Sequence, residues 1–159
     1  MPRFTKILCP VDFDKNSLAA LKVAGDLAAE QRTATLDILH VVPIPPGPEV
    51  AIPFDQLEGR ARSRLQRLVR SRIASRIHHA VHIRTGDPAG EVVSMAEQLG
   101  CDLIVLATHG RKGLTRLVLG SVAERIVREA PCSVLVARLG ARRPKARATR
   151  ASILARAAG

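Results

Sequence analysis

The chain has 159 residues, 47% of them hydrophobic and 25% charged, and a net charge of +11. This is the size of one ordinary domain, able to bury a core without disulfides or a structural metal. Aromatics make up only 2%, with no Trp and no Tyr, which disfavours binding by base stacking, and no apolar run approaches the roughly 18 residues of a membrane span.

In chain order, residues 5–11 (TKILCPV) read as a first strand. The apolar stretch at the start is broken by Pro10 and Asp12 and is too short for a signal-peptide core, so the expected compartment is the cytoplasm. Asp14 is placed to cap a helix over 15–31, whose apolar positions Leu18, Leu21, Gly25 and Ala28 recur at helical spacing. Residues 34–42 form a second strand, followed by a proline-rich surface loop over 43–48. A second helix is predicted from Phe54 to Ile77, with Leu57, Ala61, Leu65, Leu68, Val69, Ile73 and Ile77 as its apolar stripe. Residues 80–85 form a short third strand; Gly86 turns the chain, Asp87 caps, and Pro88 opens a helix that ends at Gly100. The nearly continuous apolar run DLIVLA (102–107) suits a central parallel strand buried on both faces. A glycine-containing segment then leads to a helix over 121–130, and SVLVA (133–137) is the fifth strand. Strands alternating with helices argue for an α/β layered fold with a mostly parallel sheet. The domain is expected to occupy residues 1–140, with 141–159 a basic tail dispensable for folding.

The charge is unevenly placed. Residues 138–159 hold seven Lys/Arg and no acid, leaving 18 Lys/Arg against 14 Asp/Glu in the body. A second concentration, seven Arg and no acid, lies in residues 60–76. A solvated helix face is the favoured reading there, with a nucleic-acid or acidic-partner patch as the alternative. Cys9, Cys101 and Cys132 are widely spaced and odd in number, so they are assigned to packing. His78, His79 and His82 are the only clustered metal-type ligands, and a metal site there is disfavoured because they straddle a helix end and a strand start.

The segment most informative about function is ATHGRKGLTRLVLGSVAERIV, residues 107–127. It joins a buried strand to a helix N-terminus, where free N–H groups and the positive end of the dipole suit an anion. Ser121 and Glu124 have the spacing of a capping box, with Ser121 as the cap. Gly110, Gly113 and Gly120 permit close backbone approach, Arg111 and Lys112 add charge, and His109 is within reach of a phosphate. Asp12, just past the first strand, is the best-placed single carboxylate for a ribose hydroxyl or an adenine amino group. Neither a Walker loop nor a GxGxxG after the first strand occurs.

These residues resemble the universal stress protein family, whose nucleotide-binding members carry G-x2-G-x9-G-[S/T] after the fourth strand. Here Ala107-Thr108-His109-Gly110 is followed by nine residues and Gly120-Ser121. CPVD after the first strand, LHV ending the second, TGDP before the third helix and APCSVLV at the last strand match as well, and the resemblance spans residues 3–138. It implies an open five-stranded α/β sheet of order 3-2-1-4-5, Rossmann-like, with an adenine nucleotide above the ends of strands one, two and four, and a homodimer formed through the fifth strands. On this resemblance Pro10, Val11 and Asp12 meet adenine and ribose, Val41 contacts the adenine, and Leu106 and Ala107 lie near the sugar. Gly110, Gly120, Ser121, Val122 and Ala123 cradle the phosphates. Ala107 departs from the motif's first glycine; at a positive φ it would cost ~1–2 kcal/mol. The expected function is a cytoplasmic, dimeric, ATP-binding regulator of the stress response, with Mg²⁺ an optional companion and ATP hydrolysis at most slow. The alternatives are a nucleotide-free protein–protein module of the same fold and a basic nucleic-acid-associated protein, the latter disfavoured.

Overall fold

The computed structural model describes residues 3–31, 33–44, 53–107 and 119–137. Among the described residues nine elements alternate: β1 (Lys6–Pro10), α1 (Lys15–Glu30), β2 (Thr35–Pro43), α2 (Phe54–Arg72), β3 (His78–Gly86), α3 (Pro88–Leu99), β4 (Leu103–Ala107), α4 (Ser121–Glu129) and β5 (Ser133–Ala137). The five strands form one sheet of order β3-β2-β1-β4-β5, and every pairing in it is parallel. No helix among the described residues is long and apolar enough to cross a membrane.

Strand alternation divides the core in two. Ile7, Cys9 and Val11 of β1 and its extension point with Leu36, Ile38, Leu103 and Val105 toward α1 and α2. Leu8, Leu39, Ile104 and Leu106 point to the other face, against Ala89, Val92, Met95 and Ala96 of α3 and Ala123 and Ile126 of α4. Because both faces are covered, β1 and β4 read as continuous apolar runs. Gly25 lets α1 pack closely on Ile73, just past the end of α2: a Cβ there would stand 3.0 Å from the Ile73 side chain.

Local signals act as their chemistry predicts at three helix ends. Asp14 caps α1, its carboxylate accepting from the N–H groups of Asn16 and Ser17. Asp87 caps α3 by accepting from Gly90 N–H, with Pro88 in the first turn. Gly100 closes α3 in the left-handed region at φ 63°. Other boundaries differ from the sequence expectation. The α2 helix ends at Arg72, not Ile77; Ile73 turns to extended backbone, yet both isoleucines remain buried beneath the chain. The β3 strand is longer than 80–85, because β2 offers nine residues to pair with, from Thr35 opposite His78 to Pro43 opposite Gly86. Pro43 therefore ends a strand; residues 45–52 of the following loop lie outside the described residues.

A long-range clamp joins the start of β1 to the start of β4. The Asp102 carboxylate accepts from Thr5 N–H at 2.7 Å, Thr5 Oγ1 at 2.8 Å and Lys6 N–H at 3.0 Å. Partial burial pushes this carboxyl up, but those hydrogen bonds outweigh it and hold the group below the usual carboxylate range.

Candidate nucleotide site at the carboxyl edge of the sheet

The strand order reverses between β1 and β4. From β1 the chain moves outward through β2 and β3, then returns to the other side of β1 as β4 and β5. In open α/β sheets ligands bind in the crevice at such a switch point, beyond the carboxyl ends of the strands. The residues there are Pro10, Val11, Asp12 and Phe13 after β1, His40 and Val41 near the end of β2, Leu106 and Ala107 ending β4, and Gly120 opening α4.

The exit from β1 is rigid. Val11 is buried, and its N–H donates to the Leu39 carbonyl at 2.8 Å. The Val11 carbonyl accepts from the His40 ring through Nδ1 at 2.7 Å, which fixes the tautomer with the proton on Nδ1. Asp12 follows, half-buried; its N–H donates to Ser17 Oγ at 3.3 Å, and its Oδ1 accepts from Asp14 N–H at 3.1 Å. The turn is therefore stabilised by two aspartates, where the sequence reading gives the local role to Asp14 alone. Phe13 is the only non-glycine residue at positive φ among those described, at 67°. Its ring lies 4.5 Å from the His40 ring, and the Arg64 guanidinium of α2 sits 4.1 Å above it. Left-handed backbone at a bulky residue costs ~1–2 kcal/mol and clusters at binding sites. Sequence reasoning missed Phe13, His40 and Arg64 as a group, because 51 residues separate the first from the last.

On the opposite side of the crevice, α4 begins differently from expectation. Gly120 occupies the cap position, no side chain among the described residues caps the helix, and Ser121 is its first helical residue. The Glu124 N–H donates to the Gly120 carbonyl at 2.8 Å rather than to the Ser121 hydroxyl. The proposed Ser121–Glu124 capping box is thus absent; helix geometry leaves the N–H groups of Ser121, Val122 and Ala123 without intrahelical acceptors. Ser121 and Val122 are exposed, while the Ala123 methyl packs inward on the α3 side. An ion pair between Arg125 and Asp87 at 2.5 Å ties the first turns of α4 to the capped start of α3.

Ala107 is in extended backbone, paired with Ala137 in the β4–β5 ladder, so the alanine that departs from the glycine motif carries no left-handed strain. Its methyl packs on the α1 side of the sheet. Leu106 is 3% exposed with its side chain in the opposite core layer, leaving only its backbone for a ligand. Val41 is half-buried on that same layer. His109 and Gly110 lie outside the described residues, as do Arg111, Lys112 and Gly113.

Elsewhere the candidate reactive groups have local partners. Burial pushes the Cys9 thiol up to about 12, and burial together with the Asp37 carboxylate does the same for Cys101; Cys132 is also raised, by burial and then Asp102. All three are packing residues in this fold. The three histidines all belong to β3, not to a helix end: His82 Nε2 bonds Asp37 Oδ1 at 2.7 Å, and His79 Nδ1 bonds the Ile77 carbonyl at 2.9 Å. No group of three or more His, Cys, Asp or Glu among the described residues is arranged to hold a metal.

The family model of the universal stress proteins matches residues 3–138. This chain belongs to the universal stress protein family. A universal stress protein of Methanocaldococcus jannaschii is 34% identical over 143 residues, covering 84% of this chain and 81% of the relative. Among solved structures, the universal stress protein UspA of Lactobacillus plantarum superposes with a TM-score of 0.71 at 28% identity, covering 87% of this chain and all of that one. Two more distant universal stress proteins share the fold. One, solved in complex with cAMP, has a TM-score of 0.64 at 20% identity and covers 86% of this chain and 98% of its own. The other, from Archaeoglobus fulgidus in complex with dAMP, has a TM-score of 0.59 at 18% identity with the same coverage.

Proposed function

We propose that this universal stress protein is a cytoplasmic regulator that binds an adenine nucleotide, ATP in preference, in the crevice between β1 and β4 and acts as a homodimer. The observation that carries the reading is the uncapped start of α4 at Gly120. Three consecutive backbone donors there, with the positive end of the helix dipole, match the needs of phosphate oxygens. The cAMP and dAMP complexes of proteins with this fold support adenine nucleotides as the ligand class. On this reading Ser121, Val122 and Ala123 hold phosphates through N–H groups and Gly120 gives clearance, with Gly110 contributing from the preceding segment. The Asp12 carboxylate receives a ribose hydroxyl, and Pro10, Val11, Val41, Leu106 and Ala107 line the nucleoside. Mg²⁺ would be held by the phosphates and not by a carboxylate cluster, since no group of three or more His, Cys, Asp or Glu among the described residues is arranged to hold a metal. The role is regulatory: occupancy biases the surface presented to a partner, and the buried thiols with raised pKa are unsuited to nucleophilic chemistry.

Support for the dimer comes from the edge position of β5, which among the described residues pairs only with β4. It is short and apolar, with Leu135 39% exposed, and a symmetric partner strand relieves the hazard of such an edge. The nucleotide reading is tested by denaturing the purified protein and identifying any released nucleotide by chromatography and ultraviolet spectrum, then titrating the nucleotide-free protein with ATP by calorimetry, with and without Mg²⁺. Gly120→Val and Asp12→Ala should each weaken binding at least about tenfold, ~1.4 kcal/mol. No heat from the nucleotide-free dimer at millimolar ATP would replace this reading with the protein–protein module. A monomer mass in light scattering at tens of micromolar would remove the dimer.

A further inference from the structure

The sequence alone favours a solvated face for the arginines of α2. The structure adds two observations about that face. First, the arginines of α4 are paired, Arg125 with Asp87 and Glu129 and Arg128 with Glu129, as are Lys22 of α1 with Asp26 and Arg84 of β3 with Glu91, while exposed Arg3, Lys15 and Arg76 have no carboxylate within 4.0 Å among the described residues. In α2, no carboxylate among the described residues lies within 4.0 Å of Arg60, Arg62, Arg67 or Arg70. The acids of α2 are confined to its start, at Asp55 and Glu58, and Glu58 is engaged by the Thr85 hydroxyl at 2.6 Å. Like charges three and four residues apart destabilise a helix by ~0.2–0.5 kcal/mol per pair, so the arrangement carries an uncompensated cost.

Second, three of the arginines share the outer face. Leu65 and Val69 turn the inner side of α2 to the core, which aims Arg60, Ser63, Arg67 and Arg70 outward. Arg60 and Arg67 are two turns apart, ~10.5 Å along the axis, and a shallow depression runs past Gln56, Gly59, Arg60, Ser63 and Arg67. The exposed positions of α2 carry no apolar side chain.

We propose that the outer face of α2, through Arg60, Arg67 and Arg70, docks the phosphodiester backbone of double-stranded DNA without reading its sequence. Charge complementarity selects a polyanion. The lack of an apolar or aromatic anchor argues against an acidic protein, since protein interfaces concentrate their energy in such anchors, and the lack of aromatics argues against single strands. A helix exposed along its whole outer face fits the ~12 Å major groove of B-form DNA, whereas the deep, narrow major groove of A-form RNA excludes it. Guanidinium, hydroxyl and amide donors on that face suit phosphate contacts, which position a protein on the duplex.

The test uses the full chain and a fluorescent 20-base-pair DNA duplex, followed by anisotropy from 50 to 200 mM salt. The basic residues 138–159 are present throughout, so the comparison is between variants. The triple variant Arg60→Ala, Arg67→Ala, Arg70→Ala should flatten the slope of log K against log salt by ~0.9 per arginine, ~2.7 in total. Its far-ultraviolet circular dichroism and melting temperature report that α2 is intact. The corresponding triple lysine variant should restore the slope. An unchanged slope in the alanine variant would overturn the proposal and assign binding to the tail, and no binding by the wild type at 50 mM salt would end it outright. Stronger binding to an RNA duplex, or equal competition by poly-aspartate per unit charge, would replace DNA by those partners.

Discussion

Phe13 offers a test of the architecture at the mouth of the crevice. Replacing it with alanine removes two contacts of the ring, with His40 at 4.5 Å and with Arg64 at 4.1 Å. Aromatic contacts of this kind contribute ~0.5–1.5 kcal/mol and an exposed cation–π contact ~0.5–1 kcal/mol. Phe13→Ala should therefore destabilise the fold by ~1–2.5 kcal/mol. Phe13→Gly loses the same contacts but also sheds the cost of φ 67°, ~1–2 kcal/mol for a residue with a Cβ. Against that gain stands the extra freedom of glycine in the unfolded chain, ~0.4–1 kcal/mol. The glycine variant should thus be the more stable of the two by ~0.5–1 kcal/mol, and the ring contacts cancel in the comparison. Urea unfolding with equal m-values would measure the difference, and melting temperatures should separate by ~1–4 °C at this chain length. At exposed Arg70, within α2, the order reverses, because glycine costs ~1 kcal/mol relative to alanine in a helix. If alanine equals or exceeds glycine at position 13, the left-handed turn after β1 is wrong, and so is the placement of Asp12 that depends on it.

Other outcomes follow from named contacts. Asp102→Ala leaves three donors without their acceptor and should cost ~1–3 kcal/mol at neutral pH, measured by urea denaturation. Because the folded carboxyl is held below its ordinary value, its contribution is full above the unfolded pKa and is lost as pH falls through the lower folded value. The gap between wild type and Asp102→Asn should accordingly narrow below about pH 4; a constant gap would contradict the clamp. Native Cys9 and Cys101, both buried with thiols raised to about 12, should resist iodoacetamide at pH 8 and react on unfolding, as mass spectrometry would show. Ala107→Gly should lower stability by ~0.5–1 kcal/mol, since residue 107 is in extended strand backbone where glycine has only an entropic cost; a gain in stability would mean the alanine was strained.

Much of this fold is legible along the chain because its signals are short-range. Asp14, Asp87 with Pro88, and Gly100 mark helix ends by chemistry that acts within four residues. The apolar run of β4 announces a strand covered on both faces, since alternation is lost when both sides are buried. The order 3-2-1-4-5 was an implication of the family resemblance, because strand composition does not say which strand lies beside which. Where tertiary contacts compete with local signals, the chain pattern falls short. The periodic stripe of α2 runs on to Ile77, but the helix stops at Arg72: Ile73 leaves helical backbone, and a turn closed by Ile77 N–H on the Ala74 carbonyl keeps both isoleucines buried. Ser121 has the spacing of a cap, yet Gly120 takes that position and Ser121 becomes the first helical residue. Asp102 meets Thr5 across 97 residues of sequence, and Phe13, His40 and Arg64 meet from three separate segments. Residue type and local spacing determined which elements form. Only the packing of the sheet and its helices decided register, the left-handed turn at Phe13 and the arginine face of α2, because those depend on groups distant in sequence being brought into contact.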